Sequence, residues 1–241
     1  QLAGGNFGLY FRVWNKGWRH LFPDVEFKVY LGIMTVAALF IAANLVFTSG
    51  LPAGKALRDA LFASSSIMTT TGFVTADFDQ WPAFSKLLLL ILMFIGGSAG
   101  STAGGMKVVR LLLLCKQSWN ELQRDLHPRM VINVKCAGKP VHASVLQATG
   151  QFFFVFMLTF AVSVLLVSAA GLDAWDSIGA VAATLGNVGP GFGVVGPTQN
   201  YSLLSDFVKV VLTACMLLGR LELFTLLVFL RPEFWRTHRN W

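Results

Sequence analysis

The chain has 241 residues, of which 55% are hydrophobic and 13% are charged, and its mean hydropathy is +0.63. Soluble domains contain roughly 45–50% apolar and about 25% charged residues, so the composition excludes an ordinary soluble globular protein. It leaves room for about four to six membrane-crossing segments of about 20 residues and none for a separate soluble domain. Because the chain begins at Gln1 without a signal-peptide pattern, we expect it to be a piece of a longer polypeptide.

The first long apolar segment covers residues 29–48, twenty residues without a charge. A helix of that length crosses a hydrocarbon core of about 30 Å. The next apolar segment is too short to span, which favours a re-entrant helix that enters and leaves on the same side of the membrane. We therefore predict an outer helix at about 29–48, a pore helix at about 57–68 and, at residues 69–73, a filter loop that we call the first loop.

The third apolar segment starts as a leucine-rich helix and then becomes ten residues of Gly, Ala, Ser and Thr at 96–105. We call these ten residues the glycine-rich loop. A regular helix through its five glycines would lose about 1 kcal/mol for each of them. The sequence therefore predicts an inner helix at about 83–114 that is broken at 96–105.

The second half of the chain repeats this order of elements. After a basic cytoplasmic connection at 116–142, we predict four elements. They are an outer helix at about 143–170, a pore helix at about 175–185, a second filter loop at 186–191, which we call the second loop, and an inner helix at about 203–230. The same order twice indicates an internal repeat, of residues 1–115 and 143–241.

One alignment brings the two copies into register. Placing Gly72 over Gly189 also places Asp59 over Asp176. It sets the triplet Thr-Thr-Gly at 70–72 over Asn-Val-Gly at 187–189. One matched Asp and one matched Gly are weak alone, so the repeat depends on the shared order of elements.

The basic charge of +7 has a membrane explanation. If the first helix leaves the cytoplasm, fourteen of the 19 Lys and Arg residues lie inside, as the positive-inside rule expects. This orientation argues against nucleic-acid binding. Half of the twelve acidic residues then lie outside, where they would attract cations to a pore mouth or simply begin helices. Trp81, Trp175 and Tyr201 fall at the outer interface as an aromatic belt.

The two loops have the residues of an ion filter. Each pore helix would point its partially negative C-terminal end at the membrane centre. The loops would then supply carbonyl oxygens that replace the hydration shell of a monovalent cation. A lone Thr-Thr-Gly is more typical of a tight turn, but two such loops in register favour a filter. Its residues are Thr70, Thr71, Gly72, Asn187, Val188 and Gly189.

At these residues the chain resembles a known family. The strings TTTGF at 69–73, GGSAGSTAGGMKV at 96–108 and GNVGPGF at 186–192, with Arg220 in LLGRLELF, resemble the TrkH-type potassium transport subunits of the Trk/Ktr/HKT superfamily. The likeness covers the whole chain. It implies an all-α polytopic membrane protein in which four helix, pore-helix, helix repeats surround a potassium pathway, with this chain as repeats three and four.

The resemblance also implies roles and partners. The oxygens of Thr70, Thr71, Asn187 and Val188 would coordinate potassium, which is the substrate rather than a cofactor, while Gly72 and Gly189 would shape the loops. The protein would lie in the cytoplasmic membrane of a bacterium, as a homodimer of chains that also carry the N-terminal half. A ring of nucleotide-binding regulatory subunits of the TrkA kind would cover its cytoplasmic face.

The resemblance implies that the glycine-rich loop is a movable gate. Its flexible positions would be Gly96, Gly97, Gly100, Gly104 and Gly105. A helix-packing face of small residues is the alternative. Arg220 would face the pathway below the filter and raise the barrier to cations. It would alternatively pair with a carboxylate or with carbonyls of the glycine-rich loop, and both roles are compatible.

Three other functions remain to be weighed. A secondary transporter with broken helices would need midplane carboxylates, and the sequence offers only Glu222 there. An intramembrane hydrolase would need a base near Ser98 or Ser101, and no histidine falls at membrane depth. An inert assembly subunit would not need two filter-like loops. The sequence therefore favours a pore over an enzyme.

Overall fold

A computed structural model describes residues 2–17, 24–127, 134–136 and 139–221 of the chain. Eight α-helices lie within these residues, and we number them in chain order: α1 (Phe7–Lys16), α2 (Val25–Ser49), α3 (Ala53–Met68), α4 (Ala83–Ile95), α5 (Val108–Leu126), α6 (Ala143–Ala169), α7 (Ala174–Leu185) and α8 (Asp206–Arg220). Strands β1 (Lys135–Cys136) and β2 (Lys139–Pro140) add a short antiparallel ladder. Glu222 and the predicted end of the last inner helix near residue 230 lie outside the described residues.

Local caps set several helix ends differently from the predicted bounds. Helix α2 begins before residue 29 because the side chain of Asp24 accepts a hydrogen bond from the Phe27 amide at 2.9 Å. Helix α8 begins at Asp206 rather than near 203, because Tyr201–Leu203 forms a 3-10 turn and Ser205 caps the helix. Each cap satisfies an amide that would otherwise lack a partner.

Helix α5 continues well past the predicted end at residue 114 and takes up the first part of the predicted connection at 116–142. Its later residues are polar good helix formers, and Glu121 pairs with Arg124 one turn on at 3.2 Å. A prediction from apolar residues alone therefore places the end of this helix too early.

The inner segment between residues 83 and 126 is two helices joined by a closed loop. Helix α4 ends at Ile95 and α5 begins at Val108. The base of the loop is closed by three backbone hydrogen bonds of 2.9–3.0 Å, from Met106 to Phe94, from Lys107 to Ile95 and from Val108 to Gly97. The glycine-rich loop is therefore closed at its base, between the end of α4 and the start of α5.

Two apolar clusters hold the helices together. In the first, α2 packs against α3 and α4 through buried side chains such as Met34, Ile41 and Leu89. In the second, α6 packs against α7 and α8. The clusters join at Phe94 of α4, whose ring contacts Phe160 edge-on at 4.8 Å between centroids. The two repeats thus share one interior.

The outer surface of the long helices is apolar. Two helices of the described part of the chain, α2 and α6, are long and apolar enough by length and composition to cross a membrane. Large apolar side chains are exposed along both: Val36, Leu39, Phe40 and Phe47 on α2, and Phe154, Leu158, Val162 and Leu165 on α6. Such continuous apolar surface is suited to lipid and not to water.

Candidate functional site

The loops that follow α3 and α7 have the same hydrogen-bond pattern. In each loop, three successive amides bond back to carbonyls in the last turn of the preceding helix, at distances of 2.9–3.1 Å. The pairs in the first loop are Thr69 to Ser65, Thr70 to Ile67 and Thr71 to Ser66. Those in the second are Gly186 to Ala182, Asn187 to Thr184 and Val188 to Ala183. Each pair of the first loop matches one of the second at the offset that places Gly72 over Gly189.

Positive φ angles occur at the same aligned positions of the two loops. Thr70 and Asn187 hold the aligned positions, with φ of 52° and 56°, in the left-handed region. Gly72 and Gly189 follow with φ of 72° and 109°. Asn tolerates this region, whereas a β-branched Thr costs of the order of 1–3 kcal/mol there. A strained conformation kept at the same place in both loops indicates that the shape of the loops is required.

The two loops meet at Gly72. A Cβ atom there would overlap the carbonyl oxygen of Val188 and would lie 3.1 Å from Cδ of Pro190. Both the positive φ and this close approach exclude any side chain at the position. The structure therefore brings the predicted residues of the first and second loops together at one place.

Hydroxyl groups hold the far side of each loop. Ser66 donates to the carbonyl oxygen of Phe73 at 2.7 Å, and Tyr201 donates to that of Gly189 at 2.6 Å. Burial raises the pKa of Tyr201 to about 12, so the phenol stays a donor. The hydroxyl of Thr71 turns back to the carbonyl oxygen of Ser66 at 3.3 Å. Ser66 and Thr71 thus fix the first loop to the end of α3.

The glycine-rich loop lies directly against both of these loops. The amide of Gly104 donates to Oγ1 of Thr70 at 3.0 Å. A Cβ on Gly104 would lie 3.0 Å from that of Asn187 and would overlap the carbonyl oxygen of Gly186. Gly104 therefore allows one segment to touch the first and second loops at once.

Arg220 reaches the glycine-rich loop from α8. Its Nη1 donates to the carbonyl oxygen of Thr102 at 2.7 Å. The two residues line a cavity of about 310 Å³ that also contains Lys107, Phe152 and Gly219. The sequence left two partners open for Arg220, a carboxylate or a carbonyl of the glycine-rich loop. In the described structure Arg220 bonds to the carbonyl.

The acidic residues of the outer side have structural partners. Asp173 accepts a hydrogen bond from the Trp175 amide at 3.2 Å and caps α7. Asp59 is buried and pairs with Arg58 at 3.2 Å. Asp79 lies 3.8 Å from Lys86, whose ammonium also contacts the Trp175 ring. Each of these carboxylates caps a helix or pairs with a basic side chain, so its position is explained without a bound cation.

Several supporting residues had no signal in the sequence. Ser66 is one of three consecutive serines, and Tyr201 reads as a residue of the aromatic belt. Residues 3–7 hydrogen-bond the glycine-rich loop through Gly4 and Phe7, although no motif in the sequence points to them. Their roles depend on packing between distant parts of the chain, which no local pattern records.

Comparison with known proteins identifies the family. A family model named TrkH and described as a cation transport protein matches residues 27–237. The chain belongs to the TrkH family. It is 39% identical over 240 residues to the Trk system potassium uptake protein TrkH of Escherichia coli K12, covering 98% of this chain and 49% of that protein. It is 32% identical over 247 residues to TrkG of the same strain, with 98% and 50% covered.

A solved structure gives the same result for the fold. The crystal structure of the potassium transporter TrkH from Vibrio parahaemolyticus matches with a TM-score of 0.90 and 40% identity, over 98% of this chain and 51% of that one. The predicted fold class, an all-α membrane transporter of the TrkH family, is confirmed. The chain spans about half the length of the curated relatives that it matches.

Proposed function

We propose that this chain forms two of four repeats around a pathway for potassium uptake across the cytoplasmic membrane of a bacterium. The observation that carries the proposal is the matched pair of loops. They share their hydrogen bonds and their left-handed positions, and they meet at Gly72 and Val188. Two unrelated turns would have no reason to share a strained backbone. Loops that present their carbonyl oxygens to the same ion would need such a shared conformation.

Carbonyl oxygens of Thr70, Thr71, Asn187 and Val188 would coordinate the potassium ion. Gly72 and Gly189 provide the positive φ that lets successive carbonyls turn toward one axis. The C-terminal ends of α3 and α7 precede the loops, and their partial negative charge stabilises a cation. A filter with fewer rings of carbonyls than a four-site potassium channel should distinguish potassium from smaller cations less sharply.

The glycine-rich loop would act as the gate beneath this filter. Gly96, Gly97, Gly100, Gly104 and Gly105 give it many backbone states, so a change between open and closed forms costs little. Arg220 would hold the closed form through the carbonyl oxygen of Thr102 and would add a positive charge that repels cations. Arg220 would therefore have both roles that the sequence left open: it would bond to the glycine-rich loop and it would repel cations.

The partners follow from the pathway. Two loops surround only part of an ion, so the chain would act with two further repeats in an N-terminal half of the same polypeptide. We propose a homodimer of such polypeptides and a nucleotide-binding regulatory subunit of the TrkA kind on the cytoplasmic face. The cytoplasmic end of α5 offers such a subunit exposed Trp119, Leu122 and Leu126.

Replacing the loop glycines tests the proposal. The full-length protein should restore growth at low potassium to a bacterium that lacks its own uptake systems, and Gly72→Ala and Gly189→Ala should each abolish the rescue. The matched control is Gly54→Ala, because Gly54 lies in α3, has an ordinary helical backbone and has open space around it in the described structure. Immunoblots of the membrane fraction would verify equal amounts. Rescue that persists with both glycines replaced would remove the filter hypothesis.

A further inference from the structure

The carboxylate of Glu26 contacts the glycine-rich loop. Glu26 lies in the first turn of α2, but Asp24 caps that helix, so the Glu26 side chain is not needed there. Its Oε1 instead accepts a hydrogen bond from the amide of Ala99 at 2.6 Å. Charge-assisted bonds of this kind are about twice as strong as neutral ones.

The same carboxylate also interacts with the helix that follows the loop. The backbone of Val109, in the first turn of α5, and the positive charge of Lys107 both favour its charged form. Amides in the first turn of a helix lack partners within the helix, and an anion there is stabilised by the helix dipole. Glu26 thus bonds to the loop and interacts electrostatically with the start of α5.

The loop is also bound by residues near the start of the chain. The amide of Ser98 donates to the carbonyl oxygen of Gly4 at 2.8 Å, and the amide of Phe7 donates to that of Gly100 at 3.2 Å. The bond from the Ala99 amide to Glu26 differs from these two because its acceptor is charged. Of these three bonds to residues 98–100, the bond to Glu26 is therefore the strongest.

We propose that Glu26 is a positioning residue that clamps the glycine-rich loop to the start of α2, next to the first turn of α5, and keeps the loop beneath the filter. This inference rests on the proposed function, because it assigns Glu26 a part in keeping the gate closed. Removing the clamp would shift the loop toward open forms by a factor set by the free energy of the lost hydrogen bond. The loop would then be more accessible from the cytoplasm and the closed protein would leak.

Thiol labelling measures the opening of the loop directly. Ser98→Cys places a thiol at a position that is 1% exposed, in a full-length protein whose other cysteines, including Cys115, Cys136 and Cys215, are replaced. In inside-out vesicles, a membrane-impermeant maleimide should label Cys at position 98 about tenfold faster in Glu26→Ala than in the parent. Glu26→Gln, which keeps an acceptor oxygen but loses the charge, should be intermediate.

Two controls separate clamping from general damage. Asp24→Asn removes a charge two residues away but keeps a good helix cap, so labelling at position 98 should stay at the parent rate. In a second background that retains only Cys215, which is 1% exposed in α8, Glu26→Ala should leave the thiol as unreactive as before. A parallel rise at Cys215 would mean overall loosening and would overturn the proposal. An unchanged rate at position 98 in Glu26→Ala would overturn it too.

Potassium flux into proteoliposomes distinguishes the clamp from the proposed function. If both hold, Glu26→Ala raises the basal flux several-fold and Asp24→Asn leaves it unchanged. If labelling at position 98 rises in Glu26→Ala but neither the parent nor any variant carries potassium, the clamp holds and the potassium pathway is wrong. If flux is normal but neither flux nor labelling responds to Glu26→Ala, the pathway holds and the clamp is wrong.

Discussion

The first and second loops share a backbone but are supported by different parts of the protein. The first loop is bonded to the glycine-rich loop through Oγ1 of Thr70, at the cost of a left-handed β-branched residue. The second places Asn187 at the same position, where that conformation is easier, and is held from outside by Tyr201. One repeat thus connects the proposed filter to the proposed gate, and the other anchors it to the outer connection. Equal shape does not mean equal function.

The second repeat contacts the proposed gate through Arg220. Replacing Arg220 is expected to have the largest effect. Arg220→Ala removes a charged hydrogen bond to Thr102, worth about 1.5–3 kcal/mol, together with a positive charge near the proposed pathway. We expect potassium flux in proteoliposomes to rise by about tenfold or more.

Arg220→Lys separates the two contributions of Arg220. Lysine keeps the charge but not the planar donor group, so a flux between those of the parent and Arg220→Ala indicates that the bond to Thr102 matters. Parent-like flux in Arg220→Lys would assign the effect to charge alone. Unchanged flux in Arg220→Ala would contradict both roles and leave the second copy without a part in gating.

Thr70→Val tests whether the first loop is the one coupled to the gate. Valine keeps the shape and the branched Cβ but leaves the Gly104 amide without its acceptor, which costs about 1 kcal/mol or more. We expect roughly fivefold higher basal flux and faster thiol labelling at position 98.

Thr70→Ser is the matched control, because serine keeps the hydroxyl and relieves the strain of the branched side chain. It should behave like the parent. In the second copy, Asn187→Gly keeps the left-handed backbone, and the described structure contains no hydrogen bond from Asn187 to the glycine-rich loop. Asn187→Gly should therefore affect labelling less than Thr70→Val. The reverse order would show that the coupling runs through the second copy.

The sequence predicts the parts of this site that depend on neighbouring residues. The runs of apolar residues, the Thr and Gly clusters at 69–73 and 186–191, and the five glycines of 96–105 each carry a local signal. Their repeated order was enough to align Thr70 with Asn187, whose φ angles agree to within a few degrees.

The supports could not be predicted in the same way. Glu26 reads as an ordinary acid in the first turn of a helix, yet its partner Ala99 lies 73 residues away. The helical extension of α5 was missed because its residues are polar, and the use of Thr70 Oγ1 depends on where the glycine-rich loop folds back. Contacts of this kind are set by packing between segments that are distant in the sequence, which composition and periodicity do not record.

Tyr201→Phe is the smallest change and tests the anchoring of the second loop. It removes one neutral hydrogen bond to the Gly189 carbonyl, worth about 1 kcal/mol, and leaves the ring in place. We expect uptake to persist and the preference for potassium over sodium to fall by a few-fold, because a looser loop fits the two ions less differently. Ser66→Ala makes the matching change in the first loop. If selectivity falls equally in both, the supports of the two loops are equivalent after all.

The contribution of Tyr201 to stability should also depend on pH in a defined direction. Its pKa is raised from 10.0 to about 12, so the folded protein holds the phenolic proton more tightly than the unfolded chain does. The stabilisation is therefore fully present below pH about 10 and is lost as the pH rises toward about 12. The difference in unfolding temperature between the parent and Tyr201→Phe should be constant from neutral pH to about 10 and shrink above it. A difference that already fades near neutral pH would mean that the phenol is not the group that anchors the second loop.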